Sequence, residues 1–318
     1  MMRPIREDGG EILIEPLAAE SLGIRSLCTF VTTPDVKVLL DPGVSHGLRS
    51  LLPHPREAEA LLSAGRRILA RAKEAQVLTI SHYHFDHYMP AFTHWMNFSS
   101  PELATLLYRG KEVLLKARDL GINFSQRKRS YYLYQRRDCT LRPADGERFR
   151  YGETEIKFSP PFDHGEEGTK LGKVLLCTIS TPHERFLFAP DVQGPMVEET
   201  LEYILAEEPD LLLIGGPPTY LRKRIKAESL SSAKRSLLEL ARRIPRMIVD
   251  HHLLRDPDWG EFLAEAKEAA SSRGHELLCA AEFLGEEVQN LEAHRAELYA
   301  REPPPDDWEE RLRRIRTG

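Results

Sequence analysis

Residues 79–87 read TISHYHFDH, and within them His82, His84, Asp86 and His87 form an H-x-H-x-D-H motif. Imidazole nitrogens and carboxylate oxygens are ligands that zinc favours and that iron and manganese also accept. The motif follows the apolar run QVLTIS, which reads as a short buried strand, so its ligands lie on a tight loop anchored by a sheet. Alternation points His82 and His84 the same way, while Asp86 and His87 turn toward an adjacent point. That arrangement suits two metal ions rather than one. Solvated loop histidines are the bland alternative, and they explain such density poorly.

Two metals need more ligands, and three loops after strand-like runs offer them. SPPFDHGEEG supplies His164, FLFAPDVQGP supplies Asp191, and RMIVDHH supplies His251 or His252. Each alone is weak, because a lone histidine at a strand end is more often structural. In order along the chain they make a ligand set. Strand alternation lets one of the histidine pair face the metals, and His251 is favoured.

The elements that must position these residues can be read from hydrophobic period. EILIEPL, RSLCTFVT and VKVLLDPG read as successive strands, followed by a helix over PREAEALLSAGRRILARAKEA with Pro55 at its start. Residues 94–150 read as a basic, partly helical insertion with no clear period. ERFRYGETEIKFSP, KVLLCTIST and RFLFAPD restore strands, and three helices then alternate with DLLLIGGPP, RMIVDHH and the short strand ELLCAAEFL. A β-rich half followed by βαβα predicts an α/β (α+β) protein: two mixed sheets with helices on their outer faces, a four-layer αββα sandwich. One domain over 1–318 is expected, with a charged, Pro-led tail over 301–318 that is either a solvated helix packed on the surface or frayed.

At these motifs the sequence resembles the metallo-β-lactamase superfamily. VLLDPG places Asp41 where the family has an early aspartate, and the H-x-H-x-D-H loop, a histidine, a bridging aspartate and a final histidine follow in family order. The resemblance implies that His82, His84 and His164 hold one divalent ion. It implies that Asp86, His87 and one of the 251–252 pair hold the other, with Asp191 between them. Zinc is the expected metal, with manganese or iron as alternatives. Asp41, and Asp250 beside the histidine pair, would brace the ligands by hydrogen bonds. DVQGP, GGPPTY and VDHHLLRD look like those of a functionally uncharacterised branch of the superfamily. Asp250, His251 and His252 also spell the DHH signature of manganese phosphoesterases, but the D-x-D setting that such enzymes need near the N-terminus is missing. The electron-transfer branch usually has Glu where His84 stands, which favours hydrolysis over redox chemistry.

A metal-dependent hydrolase is therefore expected. A metal pair lowers the pKa of a shared water to about 7 and polarises the bond under attack. Asp86 would orient the resulting hydroxide or accept its proton, and His252 would be a proton donor. Fold and metals leave the substrate open. Arg127, Lys128 and Arg129 interleave with tyrosines in SQRKRSYYLYQRR, a second basic run follows GGPPTY at YLRKRIK, and Arg255 lies four residues after His251. Arg127, Lys128, Arg129 and Arg255 are accordingly candidate contacts to a phosphodiester or other phosphorylated substrate, a nucleotide or nucleic acid. The bland reading of such runs is a solvated helix face. Hydrolysis of an ester, thioester or lactone is the alternative, and a non-catalytic metal-binding or sensing module with a closed cleft is the third.

Composition sets the outer bounds. The chain has 318 residues, 41% hydrophobic and 29% charged, enough to bury a sizeable core. A net charge of −5 gives no global attraction to nucleic acid and favours a small phosphorylated partner. No apolar run suits a membrane span, and the N-terminus lacks a signal-peptide core, so a cytoplasmic protein is expected. A homo-oligomer is compatible with all of this. The four cysteines form no CxxC pair and read as packed thiols.

Overall fold

A computed structural model describes residues 2–4 and 10–315. Residues 1 and 5–9 of the N-terminal stretch and the last three residues of the expected tail lie outside the described residues. In the first sheet, β1 (Arg3–Pro4), β2 (Leu13–Pro16), β3 (Thr29–Thr32), β4 (Lys37–Leu40), β5 (Val77–Ile80), β6 (Glu112–Leu115) and β7 (Thr140–Pro143) lie side by side in chain order. Pairing is antiparallel from β1 to β4 and parallel from β4 to β7. The chain then forms the hairpin β8 (Arg148–Tyr151) and β9 (Thr154–Phe158), and a two-residue ladder of β10 (Phe162–Asp163) with β11 (Lys173–Val174). β12 (Cys177–Ser180), β13 (Arg185–Ala189), β14 (Leu211–Gly215), β15 (Arg246–Asp250) and β16 (Glu276–Leu278) follow, and the second sheet runs β16-β15-β14-β13-β12-β9-β8. From β13 to β16 its strands are parallel.

Alternation decides what each strand buries. In the first sheet Val31, Val38, Leu40, Val77 and Leu114 point into the space shared with the second sheet. Their neighbours Phe30, Leu39, Leu78, Val113 and Leu115 point the other way, onto α1 (Pro55–Ala72) and α2 (Pro101–Tyr108). Each such side chain taken fully out of water contributes roughly 1.5–3 kcal/mol, so both faces are strongly specified. α1 shows the matching helical period: Ala58, Leu61, Ala64, Ile68 and Ala72 are buried. Its first turn is closed by His54 and Glu57, each accepting from the other's end of the turn. On the second sheet, α4 (Glu198–Ala206), α5 (Ala227–Arg243) and α6 (Trp259–Ser271) bring Ile204, Leu237, Leu240 and Leu263 to the core. The four-layer αββα architecture is present.

Two details differ from expectation. The 94–150 stretch contains α2 and α3 (Phe124–Tyr134), but it also supplies β6 and β7, which extend the first sheet. Those strands are only four residues long, and β6 opens on Glu112 while β7 carries Arg142 and Pro143, which hid their period. ELLCAAEFL is half strand and half helix: Cys279 caps α7 (Ala280–Leu284), accepting at its first turn while Glu282 receives the cap N–H. The C-terminal segment takes the first of its two expected forms, a helix packed on the surface. Leu298 of α8 (Arg295–Arg301) and Leu312 of α9 (Trp308–Arg314) are buried, and Trp308 Nε1 donates to Pro53 O at 2.8 Å. The Arg295 guanidinium donates to Glu57, Leu51 O and Gly47 O, tying α8 to the loop that follows β4.

His46 lies in that loop, 2% exposed, and neither ring nitrogen has a hydrogen-bond partner among the described residues. Burial, reinforced by Arg295, holds its pKa down to about 3. An unfolded histidine titrates at about 6.5. The folded value is the lower one, so the contribution to stability is complete above pH 6.5 and is lost as pH falls from there toward 3. Between pH 7.5 and pH 5 the wild type should lose about 2 kcal/mol more than His46→Leu. Denaturant melts of both at the two pH values measure the difference, and equal losses would contradict it.

Candidate metal centre

Parallel strands end on the same edge of a sheet, and side chains just past their C-terminal ends share that edge. This is why residues far apart in sequence meet. Asp41 follows β4, His82 to His87 follow β5, Asp191 follows β13, and His251 and His252 follow β15. His164 arrives from β10, whose ladder with β11 places it against the same point. Among the described residues, four groups bring potential ligand atoms within 4.8 Å of one another: His82, His84, His164 and Asp191; Asp86, His87 and His251; Asp191, His251 and His252; and Asp41, His82 and His87.

Asp191 is the centre of the arrangement, 1% exposed and with φ of 40°. Its Oδ2 lies 3.1 Å from His82 Nε2, 2.7 Å from His164 Nε2 and 3.8 Å from His84 Nδ1. Its Oδ1 lies 2.8 Å from His251 Nε2 and 3.4 Å from both His87 Nε2 and His252 Nε2. One carboxylate thus turns each oxygen to a different set of imidazoles. These approaches are close without hydrogen-bond geometry: His82 Nε2, His164 Nε2 and Asp191 Oδ1 are buried and have no hydrogen-bond partner among the described residues. Burial alone pushes the Asp191 carboxyl up, but His87, His251, His164 and His252 reverse it and hold it well below the usual range.

The outer ring nitrogens fix which atom each histidine offers inward. Asp41 Oδ2 takes His87 Nδ1 at 2.8 Å and also accepts from Ser81 Oγ. The Ser81 hydroxyl proton being spent on Asp41, its oxygen accepts His82 Nδ1–H at 3.0 Å. Glu20 Oε2 takes His251 Nδ1 at 2.9 Å, and the Gln193 amide lies 3.3 Å from His164 Nδ1. His82, His87 and His251 therefore direct an Nε2 lone pair at the centre, whereas the Gln193 amide nitrogen is a donor, and His164 presents the same lone pair only when that amide turns its oxygen to Nδ1. His87 Nε2 and His251 Nε2 face one another at 3.1 Å, a spacing at which two lone pairs repel unless a cation or proton lies between. Burial lowers the His251 pKa, yet Glu20 and Asp191 raise it to about 9, so the carboxylates here gather positive charge. Orphaned buried nitrogens, inward lone pairs and surplus carboxylates all fit divalent cations.

The supporting backbone is tight. Asp41, in the left-handed region at φ 45°, is followed by Gly43, where an added Cβ would stand 2.2 Å from Tyr88 N. At Gly215 an added Cβ would stand 2.9 Å from Asp191 N. Only glycine allows these approaches.

The remaining expected residues fall as follows. β15 ends at Asp250, and His251 has φ of 63°, so alternation stops and both histidines face Asp191. The expectation that one of the pair turns away is corrected by that bend. Asp250 touches no ligand ring; it accepts from Ser21 N, His251 N and Ala280 N and so pins the backbone of the histidine pair. Arg255, expected as an anion clamp, is 3% exposed and spent on Glu20 and Asp86, because its short 3-10 turn folds it inward. α3 packs on the metal loop: Gln126 Oε1 accepts from Tyr83 N, Tyr88 donates to Arg129 O, and the Arg129 guanidinium lies 4.8 Å over Phe85. Arg127 and Lys128, on the outer side of α3, are exposed. Glu20 and Gln193 were not foreseen. Gln193 stands two residues after Asp191, which is a usable signal, whereas Glu20 lies in AAESLG with nothing to mark it.

Topology and ligand order together define a metallo-β-lactamase-type αββα protein with a candidate dinuclear site. The chain belongs to the UPF0282 family: it is 43% identical over 295 residues to the UPF0282 protein MK0213 of Methanopyrus kandleri, covering 91% of this chain and 99% of that one. No protein-family model matches the chain. Among solved structures it is similar to CmlA, a diiron β-hydroxylase from Streptomyces venezuelae (12% identity, TM-score 0.47, 85% of this chain); the chain spans about half of that protein, 52%. It is also similar to Tm1679, a metal-dependent hydrolase of the β-lactamase superfamily (13% identity, TM-score 0.44, 80% of this chain and 92% of that one).

Removing an outer partner of a ligand histidine typically weakens metal binding 10–100-fold. Asp41→Ala should therefore lose divalent metal to a chromogenic chelator at 10–100-fold lower chelator concentration than wild type. Unchanged retention would show that Asp41 does not brace the site.

Proposed function

We propose that this chain is a metal-dependent hydrolase acting on a phosphorylated small molecule. The observation that carries the reading is the split of Asp191, one oxygen toward His82, His84 and His164 and the other toward His87 and His251. His82, His84 and His164 would hold one cation and Asp86, His87 and His251 the other, with Asp191 shared. The donor set suits zinc and accommodates manganese or iron. Bound divalent cations at such a site supply hydroxide at neutral pH and neutralise charge that develops on the group under attack.

The chain's own residues do the rest. Asp41 and Glu20 hold His87 and His251 in one tautomer and one orientation. Asp86, with its side chain 15% exposed, stands at the mouth of the site and can orient an incoming water. His252, 13% exposed, faces Asp191 from the solvent side, where its ring can hydrogen-bond the group being cleaved. Phe85, Phe92 and Tyr132 form an edge-to-face series beside the loop, with Arg129 over Phe85. That combination offers an aromatic face and a cation to a substrate. A sensing module with a sealed cleft is disfavoured, because His84, Asp86 and His252 keep 21%, 15% and 13% of their side chains exposed.

The test is a substrate panel on protein stripped by chelator and reloaded with zinc, manganese or iron. Turnover of bis-p-nitrophenyl phosphate should require metal, and Asp86→Asn should lower kcat by roughly 10²–10⁴-fold. Ester or lactone turnover without phosphate ester turnover would sink the substrate assignment, and indifference to chelator would sink the mechanism.

A further inference from the structure

A cleft of about 920 Å³ is linked to the metal centre through one residue: Arg49 in its wall donates to Arg255 O, and the Arg255 guanidinium lies 3.4 Å from Asp86 Oδ2. Three of its walls are segments that follow strands: residues 48–50 beyond β4, 220–224 beyond β14 and 256–258 beyond β15. Arg25, Arg49, Arg222, Lys223 and Arg224 line it, opposed by Asp256 and Asp258. Five cations against two carboxylates leave three positive charges in excess. Glu292, behind the wall, is shared by Arg25 Nε at 2.5 Å and Arg49 Nε at 2.7 Å, which reduces the excess to two.

The cations are of two kinds. Arg49 is fixed: its guanidinium lies 4.6 Å over the Tyr220 ring and donates to Arg255 O at 3.0 Å. Arg222, Lys223 and Arg224 are exposed, consecutive and, among the described residues, without an ion-pair partner. An exposed basic run is usually a solvated face. This one differs because it is concave, is backed by two immobilised arginines, and opens from the same loops that carry His251 and abut Asp191. Its volume falls within the roughly 300–1,000 Å³ of small-molecule sites.

Building on the proposed hydrolase reading, we infer that this cleft holds the non-reacting end of the substrate. The substrate class is then a small molecule with two phosphate groups: one is presented to the metals, and the other is gripped by Arg49 and the Arg222–Arg224 run. Guanidinium groups match phosphate oxygens in pairs, and the fixed Arg49 loses little freedom on binding. Such remote binding holds the reacting group in place.

The experiment is calorimetric titration of the full-length, metal-loaded protein with inorganic pyrophosphate. Wild type should bind it, and the triple variant Arg222→Ala/Lys223→Ala/Arg224→Ala should bind at least 10-fold more weakly. A control on the distant face of α5, Arg242→Ala/Arg243→Ala, should match wild type. No binding by wild type, or equal binding by the triple variant (pyrophosphate held by the metals alone), overturns the inference. The titration does not depend on turnover. If bis-p-nitrophenyl phosphate is not hydrolysed, the activity reading falls while the cleft is still judged by the pyrophosphate isotherms.

Discussion

The structure depends on one buried carboxylate. Asp191 has imidazoles from both sheets around it, and neither of its oxygens is solvated. An isolated buried carboxylate is costly, and so is a cluster of buried rings whose lone pairs converge. Each offsets the other only if both sheets bring their strand ends to one place. The αββα packing supplies that, since the parallel halves of the two sheets, β4 to β7 and β13 to β16, deliver loops to a common edge.

Much of this was legible in the sequence, for a physical reason. Ligand chemistry is carried by rare residue types at fixed spacing, so His82, His84, Asp86 and His87 announce themselves, and His164 and Asp191 follow from position after apolar runs. Strands with clean alternation, such as KVLL over 37–40, and the helix with a proline start and a 3.6-residue period, were equally plain. What stayed hidden depends on conformation that no period encodes. The left-handed backbone at His251 sends both members of the histidine pair inward, against the alternation expected of a strand end. Glu20 is one glutamate among many until the chain brings it to His251.

The basic residues divide in the same way. Charge alone marked Arg127, Lys128, Arg129 and Arg255 as equivalent, yet burial separates them: Arg255 is an internal strut between Glu20 and Asp86, Arg129 lies on the metal loop, and Arg127 and Lys128 face outward. Arg222 to Arg224, a second run of the same kind, gain significance from the concavity they border. Sequence shows how much charge a segment has; only packing shows which way it is spent.

The Arg295 guanidinium has a consequence for how the polypeptide holds itself together. By bonding Gly47 O, Leu51 O and Glu57, it fastens the late part of the chain onto the stretch that departs from Asp41. Early and late segments are thus joined by one network of buried and half-buried hydrogen bonds. Loosening the C-terminal helices would propagate through residues 42–54 to the hinge on which Asp41 steadies His87, although those helices touch no ligand themselves.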